Sequence, residues 1–198
     1  MKWTGLTGGI ATGKSTASKL IEGLGIPVID ADQISHKLSE VGQLGYEKIL
    51  FHFGKDILNT NLSIDRKKLG QIIFSNSRLK SDLENIMHPL IKAEVQLQKK
   101  EHQLKGVSLC FYDVPLLFEK KLETNFETIV LIWCNRQTQL QRLMQRNRLT
   151  VEAAQLRINS QWSMIDKVKK AHYCLDNSGD QEDLNKQLKN LIKTLSDL

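Results

Sequence analysis

Gly8-Gly9-Ile10-Ala11-Thr12-Gly13-Lys14-Ser15 stands directly behind a short apolar run, residues 3–7, and opens a helical pattern. The spelling fits G-x-x-x-x-G-K-[ST], and a strand ahead with a helix behind is the context that this pattern requires. The spacing has a chemical reason. Glycines let backbone N–H groups turn inward around phosphate oxygens, and a helix N-terminus adds a favourable dipole. Lys14 is then placed to reach β- and γ-phosphates, and the Ser15 hydroxyl to ligate Mg²⁺. At average composition, chance yields such a pattern in roughly one chain in a hundred, before a strand and a helix are required around it. The stretch predicts a bound nucleoside triphosphate with Mg²⁺.

Working outward, residues 27–30, 107–114, 128–134 and 173–176 are further short runs rich in β-branched or aromatic side chains. Several are apolar throughout, as strands covered on both faces are. Helical patterns lie between them. Leu79, Leu83, Ile86 and Leu90 step by 4, 3 and 4, as do Leu184, Leu188, Leu191 and Leu195, so each set lines one helical face. Strand–helix alternation implies right-handed crossovers and a mainly parallel sheet. The expected fold is α/β: a three-layer P-loop NTPase core with a five-stranded sheet. One domain is predicted, with core segments 1–31, 106–135 and 171–198. A helical insertion at about 32–105 and a helical lid at about 136–170 interrupt it.

Bulk properties fit one domain. The 198 residues, 40% of them hydrophobic, suffice for a sizeable core, and 25% charged residues argue against wholesale disorder. Lys and Arg outnumber Asp and Glu by 28 to 22, a net charge of +6 that favours anionic partners without naming them. The first residues lack the apolar segment of a signal peptide, and no run approaches the roughly 20 apolar residues of a membrane helix. Cys110, Cys134 and Cys174 have no metal-ligand spacing and sit in strand-like runs, so three buried, reduced thiols are expected. The expected setting is cytoplasmic.

A phosphate loop alone does not separate kinases from GTPases and motor ATPases. The guanine-reading N-K-x-D is missing: the only Asn-Lys, Asn185-Lys186, continues Gln187-Leu188. The L-S-G-G-Q element of transporter ATPases is missing too. A kinase needs a carboxylate near the acceptor hydroxyl and cations around the transferring group. Asp30-Ala31-Asp32 closes the second predicted strand, and either Asp could be that carboxylate or simply cap the next helix. Asp113 ends the third strand in a Walker-B-like position, suited to Mg²⁺ or to a turn. Arg136, Arg142, Arg146, Arg148 and Arg157 crowd the lid segment, with Glu152 the single acid between the first and last of them. Arg142 and Arg146 share a helical face, and an arginine on the transferring phosphate can be worth about 10³ to 10⁵ in rate.

Set in order, these residues resemble a known family. Residues 5–16, Asp30-Ala31-Asp32, Asp65-Arg66, Leu83-Glu84 with His88-Pro89, and Asp113-Val114-Pro115-Leu116-Leu117-Phe118-Glu119 belong to the series. So do Gln139-Leu140-Gln141-Arg142-Leu143, Arg146-Asn147, Arg157-Ile158 with Gln161, and Asp176-Asn177-Ser178-Gly179. Over nearly the whole chain the series resembles dephospho-coenzyme A kinases. The resemblance implies ATP and Mg²⁺ as co-substrate and metal, and dephospho-coenzyme A as the acceptor, phosphorylated on its ribose 3′-hydroxyl. It makes Asp32 the general base, Lys14 and Arg146 the cations at the phosphates, and Ser15 and Asp113 the metal-binding pair. Gly8, Gly9, Ile10, Ala11, Thr12, Gly13, Thr16, Arg142 and Asn177 would complete the nucleotide site, with Asn177 beside the adenine. His88 and Leu117 would join Asp32 at the acceptor.

Two departures fall in the lid, where many members have Gln-Met-Pro in place of Gln161-Trp162-Ser163 and Arg-Asp in place of Arg146-Asn147. A monomer acting on small molecules, with no nucleic acid or membrane partner, is expected. A nucleoside or nucleotide kinase would share the loop but not the 113–119 or His88-Pro89 elements. A nucleic-acid-dependent ATPase would need the stacking aromatics that a 6% aromatic content does not supply.

Overall fold

The computed structural model describes the backbone of residues 1–197 and the side chains of residues 1–196, so the last position of the predicted core segment 171–198 lies outside the described residues. The chain packs into two compact units, Met1–Ile29 with Glu101–Leu198, and Asp30–Lys100.

The first unit is built on a five-stranded parallel sheet in the order β2-β3-β1-β4-β5. Its strands are β1 (Lys2–Gly8), β2 (Val28–Asp30), β3 (Leu109–Asp113), β4 (Thr128–Trp133) and β5 (Tyr173–Asp176). All five expected runs are strands: the first extends by a residue at each end, the second, third and fourth are shorter than expected, and the fifth keeps its bounds. The third starts late because the Val107 N–H still bonds to the His102 carbonyl at a helix end. β1 is central, with Leu6 opposite Asp113 and Gly8 opposite Ile132, so both Gly8 and Asp113 leave the sheet at its carboxyl edge.

Alternation along the strands divides the residues between two faces. Leu6, Leu109, Phe111, Val130 and Ile132 meet Ala17 and Ile21 of α1 (Lys14–Gly23) and Leu184, Leu188, Leu191 and Leu195 of α9 (Gln181–Asp197). The second leucine stripe is thus buried as its spacing required. Each such leucine contributes about 1.5–3 kcal/mol by leaving water. On the other face Trp3 stacks on Tyr112 and Phe126, with ring centroids 5.5 and 6.2 Å away.

The lid segment forms α6 (Arg136–Asn147), α7 (Val151–Asn159) and α8 (Met164–Val168). Asn135, Thr150 and Ser163 cap them, each side chain accepting a backbone N–H of the first turn. Leu143, Ala154 and Ile158 pack with Ile10 and Ala11, so α6 and α7 close directly on the glycine loop.

In the second unit, α2 (Ala31–Leu38), α3 (Leu44–Phe53), α4 (Arg66–Ser75) and most of α5 (Ser77–Leu104) surround Tyr46, Ile49, Ile57, Ile64, Leu69 and Met87. On α5 the expected leucine stripe is only half-buried, and Met87 beside it is fully buried. α5 continues through Pro89. Arg66 donates to the Ser39 hydroxyl (2.8 Å) and the His36 carbonyl (3.5 Å), tying the start of α4 to the end of α2.

One thiol corrects the cysteine expectation. Cys110 and Cys134 are buried, but Cys174 is exposed, because β5 is an edge strand incompletely covered on that face. Burial raises the pKa of both Cys134 and Cys174, and the Arg142 guanidinium partly opposes the rise at Cys134. Among the described residues no helix is long and apolar enough to cross a membrane.

Candidate active site

The loop that leaves β1 is held from within. The Thr12 N–H and hydroxyl both donate to the Gly9 carbonyl, at 3.3 and 2.9 Å. Ala11 and Gly13 adopt left-handed backbone, with φ of 60° and 92°. Gly13 is required twice over: its φ is costly for other residues, and a Cβ there would lie 1.9 Å from the Asn177 side-chain nitrogen. That amide donates to the Thr12 carbonyl (2.8 Å), and the Asn177 carbonyl accepts from Arg142 (2.7 Å). Asn177 therefore braces the loop and fixes one arginine beside it.

Gly13 also stands at the N-cap of α1 without contributing a side-chain cap, and no acidic residue occupies the first turn. Helix N-termini carry unpaired N–H groups and partial positive charge, so this end is chemically suited to a polyphosphate. Ser15 presents an exposed hydroxyl in that turn, and the half-buried Thr16 bonds its N–H to the Gly13 carbonyl (3.0 Å).

Lys14 donates to Asp113 Oδ1, and Ser18 donates to Asp113 Oδ2 (2.6 Å), which engages both oxygens of a carboxylate that is almost fully buried. The Lys14 side chain retains 16% exposure. Among the described residues no group of three or more His, Cys, Asp or Glu is gathered for a metal ion. Mg²⁺ needs no such cage, since it keeps several waters and takes phosphate oxygens, so one hydroxyl and one carboxylate fit its habits.

The lid residues separate by partner. Arg146 is exposed and bonds through Nε to the Asn147 side chain (3.0 Å). Arg136 holds Asn159 (2.8 Å), Arg148 takes a left-handed conformation where α6 ends, and Arg157 is exposed on α7. Leu117 is fully buried, its side chain packing where a Cβ on Gly5 would meet it at 3.0 Å, so it serves the core. In the second unit, Asp30 is the helix cap, accepting from the Asp32 and Gln33 N–H groups at 2.8 and 3.0 Å. Asp32 lies exposed in the first turn of α2, beyond the strand that sequence had ended with it, and His88 is exposed on α5.

Other residues at the loop were not singled out by their own chemistry. Gln161 and Gln139 bond the main chain of Ile10, and Lys167, completely buried within a lysine-rich stretch, pairs with Glu119 at 2.7 Å. Gln139, Gln161 and Glu119 stood in the quoted series, but nothing local marked their partners; Lys167 carried no signal.

The dephospho-CoA kinase family model matches residues 2–183. A dephospho-CoA kinase from Listeria innocua is 42% identical over 192 residues, covering 97% of this chain and 96% of the relative. A dephospho-CoA kinase domain-containing protein from Danio rerio is 44% identical over 194 residues, covering 98% of this chain and 85% of the relative. The solved dephospho-CoA kinase from Campylobacter jejuni superposes with a TM-score of 0.74 at 34% identity, covering 100% of this chain and 98% of that one. The chain belongs to the dephospho-CoA kinase family.

Proposed function

We propose that the protein transfers the γ-phosphoryl group of ATP to the ribose 3′-hydroxyl of dephospho-coenzyme A, releasing coenzyme A and ADP. The observation that carries the reading is the N-terminus of α1, left without side-chain cap or acid behind a loop whose geometry Asn177 enforces. Family membership supplies the acceptor.

In this reading, backbone N–H groups of Ala11, Gly13, Lys14 and Ser15 and the Lys14 ammonium hold the β- and γ-phosphates. Mg²⁺ would be held by Ser15 directly and by Asp113 through water, since both Asp113 oxygens already serve Lys14 and Ser18. When bound, it neutralises charge on the phosphate oxygens. Arg142, fixed on the Asn177 carbonyl, lies toward the start of α1: a Cβ on Gly13 would be 3.9 Å from its guanidinium. Arg146 keeps its guanidinium exposed and is the lid cation that meets the transferring phosphate. Asp32 accepts the hydroxyl proton, and the cap supplied by Asp30 holds its backbone in register. Because phosphoryl transfer proceeds through a loose transition state, positioning and charge outweigh proton removal. His88 contributes to acceptor binding from α5. We place the enzyme in the cytoplasm, as a monomer.

The test is ADP release from MgATP with dephospho-coenzyme A, adenosine and nucleoside monophosphates as parallel acceptors. Dephospho-coenzyme A should be preferred by orders of magnitude in kcat/KM, with the phosphate found on the 3′ oxygen. Preference for a nucleoside monophosphate would overturn the acceptor and leave the kinase class standing.

A further inference from the structure

One residue of the glycine loop is gripped from both sides by the lid. The Ile10 N–H donates to Gln161 Oε1 at 2.8 Å, and the Ile10 carbonyl accepts from Gln139 Nε2 at 2.8 Å. A main-chain N–H can only donate and a carbonyl can only accept, so the backbone itself fixes which end each amide presents. Gln139 is buried on α6, and Gln161 is half-buried between α7 and α8. The approach is close: a Cβ on Gly9 would lie 2.8 Å from the Met164 sulfur and 2.9 Å from Gln139 Nε2. The Ile10 N–H is thereby committed to a side chain, which makes Ile10 an anchor for the loop and leaves phosphate contact to its neighbours.

We infer that Gln139 and Gln161 are positioning residues, which set the geometry of the phosphate loop from the lid by holding both main-chain groups of Ile10. The inference rests on the reading of residues 8–15 as a nucleotide site and does not depend on the acceptor. It has a polarity that a general packing role lacks. A carboxylate at position 161 still accepts the Ile10 N–H. At position 139 it loses the donor and turns an anion on the Ile10 carbonyl. Repulsion between an added carboxylate and the nucleotide phosphates is common to both positions, so comparing the two positions isolates the hydrogen bonds.

The experiment measures MgADP affinity by calorimetry on the full chain, with melting temperatures alongside, for Gln139→Met, Gln139→Glu, Gln161→Met and Gln161→Glu. Each Met variant should bind about tenfold more weakly, the scale of one partly buried hydrogen bond. The affinity of Gln161→Glu relative to Gln161→Met should exceed that of Gln139→Glu relative to Gln139→Met by at least about tenfold. In turnover assays the KM for ATP should rise while that for the acceptor moves less than about twofold, on the same scale. Equal Glu-to-Met ratios at the two positions, or lower melting temperatures with unchanged MgADP affinity, would overturn the inference. If Gln139→Glu does not fold, tighter binding by Gln161→Glu than by Gln161→Met supports it, and the reverse order overturns it. A protein that binds MgADP but ignores dephospho-coenzyme A sinks the acceptor assignment and leaves this comparison intact.

Discussion

The segment 113–119 carries a lysine–carboxylate pair at each end, and the two pairs differ in kind. At its start Asp113 meets Lys14, whose side chain keeps 16% exposure, and Ser18 supports the second carboxylate oxygen. At its end Glu119 meets Lys167, whose side chain has none, and Glu119 also accepts the Trp162 N–H (3.0 Å). The geometry of the second pair falls short of a hydrogen bond, and Glu119 Oε2 has no hydrogen-bond partner among the described residues. A lysine at the rim can exchange a carboxylate for phosphate oxygens during turnover. A lysine sealed inside cannot, and its charge is tolerated only while its partner stays. As charges the two lysines are alike in sequence; burial separates the one proposed to act on substrate from the one that holds the lid to the core.

Separate readouts can break that distinction. Lys14→Ala should lower kcat/KM by about 10³-fold or more, roughly 4 kcal/mol, and should cost less in urea unfolding than Lys167→Met, because Ser18 still bonds Asp113 and water reaches the rim. A comparable loss of stability would make Lys14 structural and erase the contrast. Lys167→Met should do the opposite, costing about 3–5 kcal/mol in urea unfolding because it strands Glu119. Adding Glu119→Leu to it should restore most of that loss, since an under-satisfied buried pair is often replaceable by apolar packing. A double variant no more stable than the single would show that the pair is not the unit. Asp32→Asn tests a third carboxylate, one assigned to substrate: kcat should fall about a hundredfold, at the low end for a general base, with MgADP affinity retained. Unchanged turnover at saturation would remove Asp32 from the chemistry. The smallest effect extends the exposure rule to sulfur. In the native state a thiol reagent should modify Cys174 alone, and slowly at neutral pH because its pKa is raised; Cys110 and Cys134 should react only after unfolding.

What could be read in advance was what is local. The glycine loop depends on main-chain chemistry spelled by eight adjacent residues, and apolar strands announce a covered sheet wherever they pair. The α9 leucines needed no partner's identity to be placed. Asp30-Ala31-Asp32 was harder, because either carboxylate has the reach to cap a helix that begins within one residue of it. Position in space settled it for Asp30. The five lid arginines were alike as charges, yet their partners lie at different distances along the chain, from Asn147 next door to Arg146 to Asn177, 35 residues beyond Arg142. The glutamine contacts were invisible for the same reason, since Gln139 and Gln161 reach a residue 129 and 151 positions away. Lys167 was masked by its composition: in a run with Lys169 and Lys170, the expectation for every member is solvent.

The brace of Asn177 on Thr12 spans 165 residues of sequence. A ribosome therefore releases the glycine loop 165 residues before its support. A nascent chain halted anywhere before β5 carries the whole loop spelling yet lacks the amide that packs against Gly13. The braced form of the loop thus exists only once the chain has grown past Asn177, and proteolytic clipping behind β4 would remove the brace while sparing every residue of the loop.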